Sequence, residues 1–148
     1  MTTTIIIIVI GFIIYWIFIK DGIYKQAVGE FKNGDLAEAY RNFHKAIRKN
    51  PKHFQAEFRL GLCCKQQASL FKETDKFNKE FKIEALNHFL RASEINPDFG
   101  RPNNLVVELI SSEKDNTIKE EMITLSKNKI ENTTSPIKEQ YSWLNKIK

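Results

Sequence analysis

From Ile5 to Ile19 the chain reads IIIIVIGFIIYWIFI, fifteen residues with nine isoleucines and no charge. A helix made of this block has no polar face, so a protein of this size has little core in which to enclose it. At about 1.5 Å per residue it spans roughly 22 Å, or about 27 Å with Thr2 to Thr4 added. The hydrocarbon core of a bilayer is about 30 Å thick. Tyr15 and Trp16 stand one turn before Lys20, where interfacial aromatics and a snorkelling cation are expected. The block is therefore read as a transmembrane anchor over residues 1–20. Met1 to Thr4 carries no Lys or Arg, and no small-x-small pattern surrounds Lys20, so signal-peptide cleavage is not expected. Lys20 and Lys25 on the C-terminal flank favour a single-pass protein with its remaining chain in the cytoplasm. One span without a polar residue offers no path for a solute, which argues against a channel or transporter.

Residues 21–148 suffice for one small domain. The formal charge of +5 is spread among acidic neighbours, and this describes a solvated helical surface rather than a nucleic-acid stripe. Four prolines and six glycines leave room for long helices and little for a turn-rich β fold. Cys63 and Cys64 are the only cysteines, and they are adjacent. Neighbours on a helix point about 100° apart, so a disulfide between them is disfavoured and core thiols are expected. No Cys or His spacing suggests a zinc motif.

An internal repeat organises the middle of the chain. EAYRNFHKAIRKNP (Glu38 to Pro51) aligns with EALNHFLRASEINP (Glu84 to Pro97) as E-A-x3-F-x2-A-x3-N-P. Ala39, Phe43 and Ala46 fall at i, i+4 and i+7, so small, large and small side chains share one helix face. Asn-Pro then stops the helix. Upstream, Asn33-Gly34-Asp35 reads as a joint between helices. Gly34 suits a left-handed cap, Asp35 an N-cap, and Glu38 the reciprocal capping-box position. With Ala56, Leu60 and Gly61 downstream, these residues resemble the tetratricopeptide repeat over about residues 22–99. The resemblance implies an all-α fold: antiparallel helix hairpins stacked as an α-solenoid, behind the transmembrane helix and followed by C-terminal capping helices.

The two Asn-Pro marks are 46 residues apart, about twelve more than the family's period of about 34. The excess falls near residues 66–80, where a longer hairpin is expected with Thr74-Asp75 as turn and cap. After Pro97, Arg101-Pro102-Asn103-Asn104 stands where a further repeat would open, so support for a third repeat is weak. Residues 101–148 are expected to form capping helices, with stripes at Leu105, Val106, Leu109 and Ile110, at Ile118, Met122 and Leu125, and at Ile137, Tyr141 and Leu144, with Ser135-Pro136 opening the last.

Chemistry is sparse. His44, His53 and His88 share no ligand spacing, and no nucleophile elbow, phosphate loop or zincin sequence occurs. Neither an enzyme nor a cofactor nor a small-molecule substrate is expected. The tetratricopeptide resemblance implies a groove lined by the first helix of each pair. Carried over through Pro51, it assigns Gln55, Phe58, Leu62 and Lys65 from the second repeat, with Tyr24 and Val28 from the first. Aromatics beside a lysine could hold an apolar peptide bearing a carboxylate. The expected function is a membrane-anchored adaptor or scaffold that binds a protein or peptide partner. The alternative is a small structural subunit of a membrane complex whose groove is filled by its own C-terminal helices.

Overall fold

The polar breaks between apolar stripes become helix ends. The computed structural model describes residues 2–133 and 141, and every regular element among them is a helix. The order is α1 (Thr2–Asn33), α2 (Leu36–Lys49), α3 (Phe54–Ala68), α4 (Lys76–Ile95), α5 (Arg101–Ser112) and α6 (Asn116–Glu131). Short connections bring α1 onto α2 and α3 onto α4 as the most closely packed pairs, and α5 and α6 each pack more on α4 than on each other. Helix α3 also packs on α2, so the helices form one stack consistent with a helical solenoid.

Helix α1 runs without a break across residues 20 and 21, where a boundary between anchor and repeat was expected. Most side chains of the Ile5–Ile19 block lie outside the described residues. Ile6, Val9 and Ile10 are described, and each is at least half exposed. Among the described residues, no helix is long and apolar enough to cross a membrane.

The joint at Asn33-Gly34-Asp35 forms as the residues dictate. Gly34 adopts φ +83°, and the Asp35 amide donates to Glu30 O at 3.0 Å. The Asp35 carboxylate accepts from the Glu38 amide at 3.2 Å, which caps α2. The reciprocal half of the expected capping box is missing, because the Glu38 side chain turns outward to pair with Arg41. A Cβ at Gly34 would meet nothing within 4 Å, so the demand there is on the backbone alone. Gly34→Ala should therefore cost about 1–2 kcal/mol, the penalty of a left-handed alanine. A thermal melt checks this, and an unchanged midpoint would mean that the turn relaxes freely.

The two copies of the repeat occupy equivalent positions. Ala39, Phe43 and Ala46 on α2, and Ala85, Phe89 and Ala92 on α4, are all at most 2% exposed. Asn50 and Asn96 end their helices with nearly the same backbone angles, and their amides donate to Ala46 O and Ala92 O. The twelve-residue excess lengthens one helix only. Helix α4 has 20 residues against 14 in α2, while α3 stops at Ala68 and turns follow up to Asp75. Asp75 caps α4 by accepting from the Phe77 amide at 2.9 Å.

Two further helices do follow Pro97. Proline needs no amide partner in a first turn, so Pro102 opens α5 rather than blocking it. Val106, Leu109 and Ile110 of α5, and Ile118 and Met122 of α6, are buried as their spacing required, while Leu105 and Leu125 are partly buried. Tyr141 is also buried, with its hydroxyl near Ser93 and Asn103. The expected stripe residues Ile137 and Leu144, and the Ser135-Pro136 opening, lie outside the described residues.

Candidate functional site

Of the six residues assigned to the groove, one is exposed, four are partly buried and one is buried. Gln55 is exposed near the start of α3. Lys65 is partly exposed and pairs with Glu108 of α5 at 2.6 Å. Phe58 is a core residue: its ring packs on Phe89 and Phe99, with centroids 6.0 and 5.4 Å away, and the Arg101 guanidinium lies above it. Tyr24 is half-buried between Phe43 and His53, and its hydroxyl accepts from Arg59 Nε at 2.9 Å. Val28 and Leu62 are partly buried against the same core. Lys65 does border a cavity of about 390 Å³ between the α3–α4 turn and α5, lined also by Phe71, Asn78, Lys82 and Leu109. The Asn78 side-chain nitrogen donates to Ala68 O, while its oxygen is buried without a hydrogen-bond partner.

A second group gathers where α2 meets α4. Tyr40 and His44 come from α2, and Glu84 and His88 from α4. The Tyr40 hydroxyl donates to Glu84 Oε1 at 2.6 Å. His44 Nε2 stands 3.4 Å from the same oxygen, yet it is buried and lacks the alignment of a hydrogen bond, so it has no such partner. His88 Nε2 is 3.7 Å from Glu84 Oε1. The other nitrogen of that ring, Nδ1, lies 2.7 Å from Oε2 of the buried Glu57, which α3 supplies from beneath. The imidazoles of His44 and His88 meet edge to face at 5.6 Å. Beside them, Tyr40, Arg41, His44, Lys45 and Arg48 line a cavity of about 260 Å³.

The surroundings set the charges. Burial alone would raise the Glu84 carboxyl, but His44, His88 and Tyr40 outweigh it and hold the group well below the usual carboxylate range. Burial likewise opposes a charge on His88, and the carboxylates of Glu57 and Glu84 override it, so its pKa rises. The Tyr40 hydroxyl is pushed up by its burial and by the Glu84 charge. Nearby Cys63 and Cys64 are buried free thiols. Burial raises Cys63 to about 11 and Cys64 further still, so both are core side chains rather than nucleophiles.

Sequence spacing gave no hint that His44 and His88 would meet. They stand 44 residues apart, and no short motif joins them. One signal was present: His44 follows the core Phe43, whereas His88 precedes the core Phe89. Phe43 packs on Tyr24 and Phe31 of α1, and Phe89 on Phe58 of α3, and these flanks of the two helices face each other. His53 takes a different role, capping α3 through Nδ1, which accepts from the Ala56 amide.

No family model, curated protein or solved structure matches the chain.

Proposed function

We propose that this chain is a membrane-anchored adaptor, a tetratricopeptide-like helical domain that docks a protein or peptide partner on the side of the membrane facing the cytoplasm. The observation that carries the reading is the continuity of α1. The same helix that bears the charge-free Ile5–Ile19 block supplies Ala27, fully buried in the repeat core. The exposure of Ile6, Val9 and Ile10 supports it, since an apolar face left uncovered on a helix suits lipid. For docking, the support is the cavity beside Lys65, whose apolar wall (Phe71, Leu109) and polar rim suit an extended segment.

Two measurements test the halves separately. The full chain should resist alkaline extraction from membranes. Ile10→Lys with Ile14→Lys should release it, because each lysine costs about 2.5–3.5 kcal/mol near the centre of a span. Extraction of the unsubstituted chain would remove the anchor from the reading. A photo-crosslinking residue at position 55 should capture a partner, and one at position 48, on the outer helix, should not. The reverse pattern would sink the groove.

Burial of Tyr141 favours the second reading, a structural subunit whose C-terminal residues complete its own packing. Removing residues 132–148 separates the two. An adaptor with an open groove keeps its melting transition, whereas a self-filled domain loses it.

A further inference from the structure

Two imidazoles and a carboxylate from two helices converge at the α2–α4 contact, and one of their ligand atoms makes no hydrogen bond. His44 Nε2, Glu84 Oε1 and a ring nitrogen of His88 all lie within 4.8 Å of one another. Around a tetrahedral zinc ion with bonds of 2.0–2.1 Å, neighbouring ligand atoms stand about 3.3 Å apart. The distances from Glu84 Oε1 to the two rings, 3.4 and 3.7 Å, are already close to that edge. The remaining edge, between the two ring nitrogens, is no longer than 4.8 Å.

We propose that His44, Glu84 and His88 form a binding site for one divalent transition metal, zinc by the chemistry of its donors, which clamps the outer helices of the first two pairs together. The buried His44 Nε2, 3.4 Å from Glu84 Oε1 but without hydrogen-bond geometry, is the feature that an ordinary hydrogen-bonded cluster leaves unexplained. His88 is arranged as a ligand. Its Nδ1 faces Glu57 at 2.7 Å, and with a proton held between them the neutral ring offers Nε2 to the metal. A carboxylate behind a histidine is the usual outer support of such a ligand. Tyr40 occupies one lone pair of Glu84 Oε1 and leaves the other for the metal. Glu57 and Glu84 bring two negative charges to a mostly buried place, and a dication balances both. Neutral imidazole with carboxylate suits zinc, copper or nickel better than the hard cations. The fourth position falls to water or a small anion on the side of the cavity that Tyr40 and His44 line. Arg41, Lys45 and Arg48 stand around that cavity, where their charge favours an anion as the fourth ligand.

The test uses the full chain in detergent, without a histidine tag, stripped by a chelator and dialysed against zinc or cobalt(II) chloride. The site predicts one metal per chain and visible cobalt absorption of tetrahedral intensity. A hundredfold excess of zinc over its Kd should raise Tm by roughly 8 °C or more. His44→Gln and His88→Gln should each abolish the stoichiometric binding. His53→Asn, which keeps a capping residue on α3, should leave it intact. Glu57→Gln should keep the stoichiometry and weaken binding roughly 10- to 100-fold. Equal binding by the chain and both glutamine variants would overturn the site, as would equal loss in His53→Asn. Should a glutamine variant not fold, the ring nitrogens of the unsubstituted chain decide. Zinc must shift the ¹⁵N resonances of His44 and His88 and spare His53, and any other pattern overturns the proposal.

Discussion

Replacing Phe89 with alanine should destabilise the domain by about 3–5 kcal/mol, the range for emptying a buried aromatic position. Its ring is fully buried, packs on Phe58 at 6.0 Å and fills the space opened by Gly61 on the facing helix. A Cβ at Gly61 would stand 2.6 Å from Phe89 Cε1 and 3.2 Å from Ala85 O. Gly61→Ala alone should therefore cost about 1–3 kcal/mol through overpacking, although alanine favours a helix over glycine by about 1 kcal/mol. With Phe89 shortened to alanine, the clash with the ring is relieved and the 3.2 Å approach to Ala85 O remains. The same Gly61→Ala change should then be close to neutral, the helix preference offsetting that contact. Urea unfolding of the four chains measures the coupling, expected to be at least about 1 kcal/mol. Additivity within about 0.5 kcal/mol would show that α3 and α4 do not meet through this pair.

The fit between Gly61 and Phe89 shows how far the sequence could be read. Ala39, Phe43 and Ala46, with their counterparts on α4, announced one buried face in each copy, because a helix of fixed pitch puts those positions together whatever it packs on. The caps at Asp35 and Asp75 and the Asn-Pro stops were legible for the same reason, being local chemistry. Phe58, assigned to the groove, lies in the core, because the repeat pattern locates a helix face but not the loop that covers it. Phe99 and Arg101 close over that ring from beyond α4. Arg101-Pro102-Asn103-Asn104 weakened the case for a third repeat in the sequence, yet Pro102 suits the first turn of α5. The meeting of His44, Glu84 and His88 depends on the azimuth of two helices, which no spacing within either one encodes.

Lys82→Met should cost about 2–3 kcal/mol near neutral pH. Lys82 Nζ lies 2.7 Å from Glu113 Oε2, and the glutamate side chain is only 5% exposed. Glu113 Oε1 also accepts from the amides of Lys114 and Asp115, at 2.9 and 3.0 Å, where the chain turns from α5 into α6. Burial disfavours the carboxylate, but the ammonium and the two amides prevail and hold Glu113 below the usual carboxylate range. Removing Lys82 leaves the charge buried on two amide bonds alone. The cost falls short of the about 3–5 kcal/mol seen when a fully buried pair is broken. Its pH dependence identifies the mechanism. A depressed folded-state pKa contributes stability above the ordinary carboxylate pKa, and that stability is lost as pH falls through the folded value. The native chain should therefore weaken on acidification more steeply than the methionine variant, and the gap between them should narrow below about pH 4.5. A gap that stays constant from neutral to acid pH would mean that Lys82 acts by packing its methylene stem rather than by charge.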